Sequence, residues 1–131
     1  MVPPTEIIAL RVDPAPSAPA EIRRAIHELR DTFAGDTAER LALLLTELVT
    51  NSLRYAHFKP RDSISVRVER RVEGLFGWVC DPGGLSIPKL EEKRLDNVGG
   101  RGLVLVDAIA RRWGVRTGDR TCVWFEFDDV E

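Results

Sequence analysis

Residues 41–57, LALLLTELVTNSLRYAH, constrain the fold of this chain more than any other stretch. Leu41, Leu44, Leu45, Leu48, Ser52 and Tyr55 recur at spacings of three and four, so as a helix they make one continuous, mainly apolar stripe. Such a stripe is what an amphipathic helix buries against a sheet. Glu47 and Asn51 fall on a different face, one turn apart, with Thr50 and Arg54 beside them. A carboxylate next to a carboxamide is an oxygen-rich pair, suited to holding a hydrated Mg²⁺ and orienting a water or hydroxyl. Exposed helices carry Glu and Asn by chance, so the pair gains meaning only from motifs elsewhere in the chain.

The remaining segments read as a sheet with two further helices. Residues 6–12 alternate weakly and end in Asp13-Pro14, which makes a short strand at a sheet edge. Ser17 is placed as an N-cap with Pro19 in the first turn, and Ile22, Ala25, Ile26, Leu29 and Phe33 mark a helix ending near Gly35. Asp36 and Glu39 have capping-box spacing, so the central helix starts there and runs to about Tyr55. Ile64, Val66 and Val68 alternate with Ser65, Arg67 and Glu69, the period of a half-buried antiparallel strand. A turn at Glu73-Gly74 leads into a second, more apolar strand over residues 75–80, which delivers Asp81 to its end, in Asp81-Pro82-Gly83-Gly84. Residues 85–98 have no period and read as a loop, followed by Gly99-Gly100-Arg101-Gly102. Leu103, Val106, Ile109, Ala110 and Trp113 then form a helical stripe stopped by Gly114, and residues 115–117 and 121–127 form a closing hairpin.

Composition removes several classes of function. With 131 residues and 44% hydrophobic content, one domain with one core is expected, spanning the whole chain. A net charge of -2 with the two signs interspersed gives no electrostatic case for nucleic acid or a membrane surface. No long apolar run or secretory leader is present, which places the chain in the cytoplasm. Cys80 and Cys122 each sit in an apolar run without metal-ligand spacing and read as free, buried thiols. Trp78, Trp113 and Trp124 match apolar stripes and read as packing residues. His27-Glu28-Leu29-Arg30 resembles the start of a sensor-kinase phosphoacceptor box, but Asp31-Thr32-Phe33 follows where a helix-bending Thr-Pro would stand, and there is no room for a second hairpin helix.

Three features stand in order: Glu47 with Asn51 on a helix, Asp81-Pro82-Gly83 after a strand, and Gly100-Arg101-Gly102 opening a helix. A strand-end carboxylate can accept a hydrogen bond from an exocyclic amine such as that of adenine. A glycine lets backbone approach a flat ring, and glycines before a helix leave N–H groups and the positive dipole end open to phosphate. The ordered set resembles the GHKL ATPase superfamily with its Bergerat fold. Glu47-Leu48-Val49-Thr50-Asn51-Ser52 resembles its N box, Asp81-Pro82-Gly83-Gly84 its G1 box and Gly100-Arg101-Gly102-Leu103 its G2 box. Residues 47–56 (ELVTNSLRYA) and 99–106 (GGRGLVLV), with Trp113-Gly114-Val115 and Val123-Trp124-Phe125-Glu126, resemble the small stand-alone regulatory ATPases related to anti-sigma-factor serine kinases.

The resemblance implies a two-layer α/β sandwich, a mixed and mainly antiparallel sheet with three helices on one face. It implies ATP and Mg²⁺ as ligands, with Glu47 as general base, Asn51 on the metal, Asp81 reading adenine, and Gly83, Gly100 and Gly102 shaping the pocket. Arg101 and Arg54 can each offer a guanidinium to phosphate. The penultimate strand leaves a choice, because relatives carry an adenine-contacting threonine either at the position of Thr121 or at that of Cys122, and neighbouring strand residues face opposite sides. The implied function is a serine/threonine kinase that binds a sigma factor and phosphorylates an anti-sigma-factor antagonist, with a homodimer compatible. Two other readings stand beside it: a non-catalytic module that sequesters a regulator in an ATP-dependent way, and the catalytic domain of a split sensor kinase. Residues 85–98, between glycine pairs, are expected to close over nucleotide, so ATP should slow their amide exchange and unchanged exchange would remove the lid.

Overall fold

In the computed structural model, which describes residues 3–84 and 103–129, the elements run β1 (Thr5–Val12), α1 (Ala18–Glu28), a 3₁₀ turn (Arg30–Thr32), α2 (Thr37–Tyr55), β2 (Ile64–Arg71), β3 (Gly74–Asp81), α3 (Val104–Ile109), β4 (Arg112–Thr117) and β5 (Thr121–Phe127). The loop expected over residues 85–98 and the Gly100-Arg101-Gly102 motif lie outside the described residues. The five strands form one sheet in the order β1-β2-β3-β5-β4, with β1 on an edge as expected. All four pairings are antiparallel. The helices share a single core with one sheet face, which is the expected α/β sandwich.

The alternation of β2 explains the layering. Ile64, Val66 and Val68 point inward and are at most 1% exposed, while Ser65, Arg67 and Glu69 point out. The stripe of α2 meets that inner face: Leu41, Leu44, Leu45, Leu48 and Val49 are all buried with Ile22 and Ile26 of α1. Among the described residues no helix covers the other face. Phe76 and Trp78 of β3 and Trp124 of β5 form a half-buried ridge there, with ring centroids 5.7 Å apart for Phe76–Trp78 and 6.1 Å for Phe76–Trp124. Arg67 and Arg71 stack on Trp78 and Phe76. These tryptophans therefore pack, but on the outer surface and outside the main core.

Four expectations need correction. Cys80 and Cys122 are not free thiols: they lie opposite each other in the β3–β5 register and are joined by a disulfide. Their separation of 42 positions reveals nothing about this, because only strand pairing puts them side by side. Helix α1 ends at Glu28, and the chain then passes through the 3₁₀ turn before Phe33. Asp36 makes no side-chain cap on α2; its carboxylate instead accepts a bond from Arg40 Nε at 3.0 Å. Helix α3 stops after six residues, and Trp113 and Gly114 belong to β4. The indole of Trp124 lies over Gly114, where a Cβ would stand 2.7 Å from the ring, so this glycine makes room for a ring and does not stop a helix. Trp113 is tied back to α3 through Nε1, which donates to Asp107 Oδ1 at 2.8 Å.

Asp129, just beyond β5, fastens the segment between α1 and α2 to the sheet. It accepts the Ala34 N–H at 2.8 Å and an Arg70 guanidinium N–H at 2.5 Å, while Arg70 also donates to Thr32 O at 3.1 Å. Burial by itself would raise the carboxyl pKa, but the bonds from Ala34, Arg70 and Thr37 and the charge of Arg70 outweigh it and hold the pKa below 3.8. A depressed folded-state value means that the stabilisation is complete above pH 3.8 and drains as pH falls through the lowered value. Asp129→Asn should cost about 1–3 kcal/mol in urea unfolding at neutral pH. It should also lose part of the acid sensitivity below pH 3.8, and identical pH slopes in the two proteins would clear Asp129 of this role.

Candidate functional site

The end of β3 brings a carboxylate into the protein interior. Asp81 is 1% exposed, and its two oxygens are held separately: Ser52 Oγ donates to Oδ2 at 2.6 Å and the Gly83 N–H donates to Oδ1 at 2.7 Å. Each carboxylate oxygen has two lone pairs and can accept more than one donor. Ser52 occupies the buried stripe of α2, one position after Asn51, and so the helix that organises the core also fixes this side chain. Nothing in its spacing distinguishes Ser52 from its apolar neighbours, and its part in the site emerges only from the approach of β3.

Asp81 pairs across the sheet with Thr121, the first residue of β5. Gly83 has φ 85°, and a Cβ built on it would stand 2.9 Å from Thr121 Oγ1. Both facts favour glycine, the first because L side chains avoid that region and the second because the threonine hydroxyl fills the space. In β5 it is Thr121 that touches the Asp81 turn, while Cys122 lies on the opposite sheet face. The Gly83 carbonyl in turn accepts the N–H of His57 at 2.8 Å, joining the turn to the exit of α2.

Asn51 is buried at 6% exposure and lines a recess with Leu48, Ser52, Val79, Asp81, Leu103 and Val123. Glu47 is half-buried one turn earlier on α2, where helix geometry sets Cβ atoms roughly 5–6 Å apart. Thus Asn51, Asp81, Gly83 and Thr121 come together where α2, β3 and β5 meet, with Glu47 one turn before Asn51 on the helix. Gly100, Arg101 and Gly102 lie outside the described residues. Arg54 is exposed, with its guanidinium 6.0 Å from the centre of the Tyr55 ring. Among the described residues no group of three or more His, Cys, Asp or Glu side chains could cage a metal.

One residue absent from the sequence reading borders this end of the sheet. Arg120, in the β4–β5 turn, donates through Nη2 to Ser63 O at 2.6 Å and Cys80 O at 3.1 Å, bracing the strand ends beside Asp81. Two larger grooves lie elsewhere, one on the opposite sheet face and one between α1 and α2 around His27 and Arg30, and neither holds the motif residues. Size alone therefore does not locate the site; the buried carboxylate and carboxamide do.

A family model described as histidine kinase-like ATPase domain matches residues 12–127, a span that contains every motif residue named above. No curated protein matches the chain significantly. Among the described residues no helix is long and apolar enough to cross a membrane. Since Ser52 is a buried donor to a buried carboxylate, Ser52→Ala should cost about 1–3 kcal/mol in urea unfolding. An unchanged midpoint would mean that the Ser52–Asp81 bond contributes nothing net.

Proposed function

As the chain belongs to the histidine kinase-like ATPase domain family, whose fold binds ATP, we propose that it is a regulatory protein kinase that moves the γ-phosphoryl group of ATP to a serine or threonine hydroxyl of a partner protein. The observation that carries the reading is the meeting of a buried Asp81 and a buried Asn51 in one recess, with Glu47 one turn away on the same helix. Asp81 accepts the adenine amine while Ser52 and Gly83 hold it still; guanine would present a carbonyl there and be repelled. Thr121 closes the same wall from β5. Asn51 offers its carboxamide oxygen to Mg²⁺, which would supply charge neutralisation at the phosphates. Gly100, Arg101 and Gly102, by their likeness to the glycine box of the family, take the phosphate side.

Phosphoryl transfer asks mainly for positioning and charge neutralisation, together with one acceptor for the proton leaving the attacking hydroxyl. Glu47 is the carboxylate spaced from Asn51 for that task. The partners proposed are a sigma factor, bound and held inactive, and an anti-sigma-factor antagonist, which receives the phosphate. What supports this choice is the motif wording, ELVTNSLRYA and GGRGLVLV, shared with the stand-alone regulatory kinases.

General-base assistance contributes about 10²–10⁴-fold in rate, so Glu47→Gln should lose turnover by that factor while keeping ATP affinity. Asn51→Ala should lose Mg²⁺-dependent binding and turnover together, and Asp81→Asn should weaken ATP binding itself. The readout is phosphate transfer from labelled ATP to antagonist proteins encoded with the chain, beside calorimetric ATP affinity. A Glu47→Gln protein that transfers at the wild-type rate rules out Glu47 as base. A wild type that binds ATP yet never transfers is a sequestering module and no kinase.

A further inference from the structure

The disulfide sits back to back with the nucleotide wall. In the β3–β5 register Cys80 pairs with Cys122 and the next pair is Asp81 with Thr121, so one pair of strand ends carries the two sulfurs on its outer face and the two pocket residues on its inner face. Cys80 is buried at 6% exposure, whereas Cys122 is half-buried and lines an outer groove of about 580 Å³ together with Arg71, Phe76, Trp78, Arg116 and Trp124. That volume lies within the ~300–1,000 Å³ of small-ligand pockets. Arg116 is the direct cross-strand neighbour of Cys122 on this face. A sulfur open to a groove is the one that an incoming thiolate can reach, and a guanidinium beside it assists its departure as a thiolate in the second exchange.

We propose that Cys80–Cys122 is a reversible redox site, opened by a dithiol reductant entering the outer groove, and that its state sets how tightly the inner face of the same strands holds nucleotide; this second half rests on the ATP reading above. A thiolate of the reductant attacks Cys122 Sγ, a new S–S bond forms, and the Cys80–Cys122 bond breaks with its electron pair going to Cys80 Sγ, which takes a proton from water. The second thiolate of the reductant then attacks the reductant's own sulfur in the mixed disulfide and expels Cys122 as a thiolate facing Arg116. The protein gains two electrons, ending with a Cys80 thiol and a Cys122 thiolate that equilibrates with solvent protons, and the reductant leaves as its disulfide. Two thiols cannot remain at bonding distance, and in this proposal the sulfurs part with an easing of β3 from β5 at the pair next to Asp81 and Thr121. Gly83 adds to the sensitivity, because its turn is fitted against the Thr121 hydroxyl.

The test compares the full chain, oxidised and then treated with dithiothreitol, for MgATP affinity by calorimetry and for fold by circular dichroism. The reduced protein should keep its fold and bind ATP about fivefold or more weakly, and by reciprocity saturating ATP should protect the disulfide from dithiothreitol by the same factor at equilibrium. Cys122→Ala should bind like the reduced protein and ignore dithiothreitol. Glutathione trapping should place the first mixed disulfide on Cys122. Equal affinity in both states overturns the proposal, as does a fold lost on reduction, which would make the bond a structural staple, or an adduct on Cys80. If the oxidised wild type binds no ATP, the nucleotide reading itself fails and takes the coupling with it, a result distinct from equal binding in both states.

Discussion

Helix α2 and strand β3 are keyed together by one polar contact inside an apolar layer, the 2.6 Å bond from Ser52 to Asp81. Both partners are almost wholly removed from water, so neither can exchange the other for solvent. The requirement propagates outward. Ser52 can reach Asp81 only if the Leu41–Leu44–Leu45–Leu48 stripe beds on the inner faces of β2 and β3, and Asp81 keeps its aim only if Gly83 takes a left-handed turn to return its N–H to the carboxylate. The apolar core and the candidate site are therefore a single construction, because the same helix serves both.

The two-layer architecture gives β3 and β5 two unlike surfaces. Inward, they hold Val79, Val123 and Phe125 in the core and Asp81 at the recess, with Thr121 paired to Asp81 across the strands. Outward, they show Phe76, Trp78, Trp124 and the bonded cysteines, with arginines stacked on two of the rings. A period of two along each strand enforces the separation: the residue next to a pocket residue must belong to the other face. This is why Thr121 and Cys122, adjacent in sequence, belong to different chemistry. It is also why any coupling between the sulfurs and Asp81 would run through backbone spacing and not through contact.

Legibility followed the range of the interactions. Periodicity is local, so the faces of α2, the alternation of β2 and the β2–β3 hairpin could be read from the residues that form them. Cap chemistry was less legible, since Asp36 had a nearer partner in Arg40 than the helix N–H groups. The stripe through Leu103, Val106, Ile109 and Ala110 was real for one and a half turns, but Trp113 continued it only on paper; pairing with Phe125 across the sheet drew that residue into β4. Arg120 and Ser52 carried no signal at all, because what matters about each is a partner about 30 positions or more away.

By itself the sequence determined the layer plan, the helix that bears Glu47 and Asn51, and the strand end that bears Asp81, because each depends on the period or order of neighbouring residues. Only the tertiary structure decided which of Thr121 and Cys122 touches the turn after Asp81, that Ser52 and Gly83 hold the Asp81 carboxylate, and that Cys80 meets Cys122. Those outcomes turn on strand register, and register is set by the simultaneous burial of every inward side chain in the sheet, a sum over the whole core that no single segment contains.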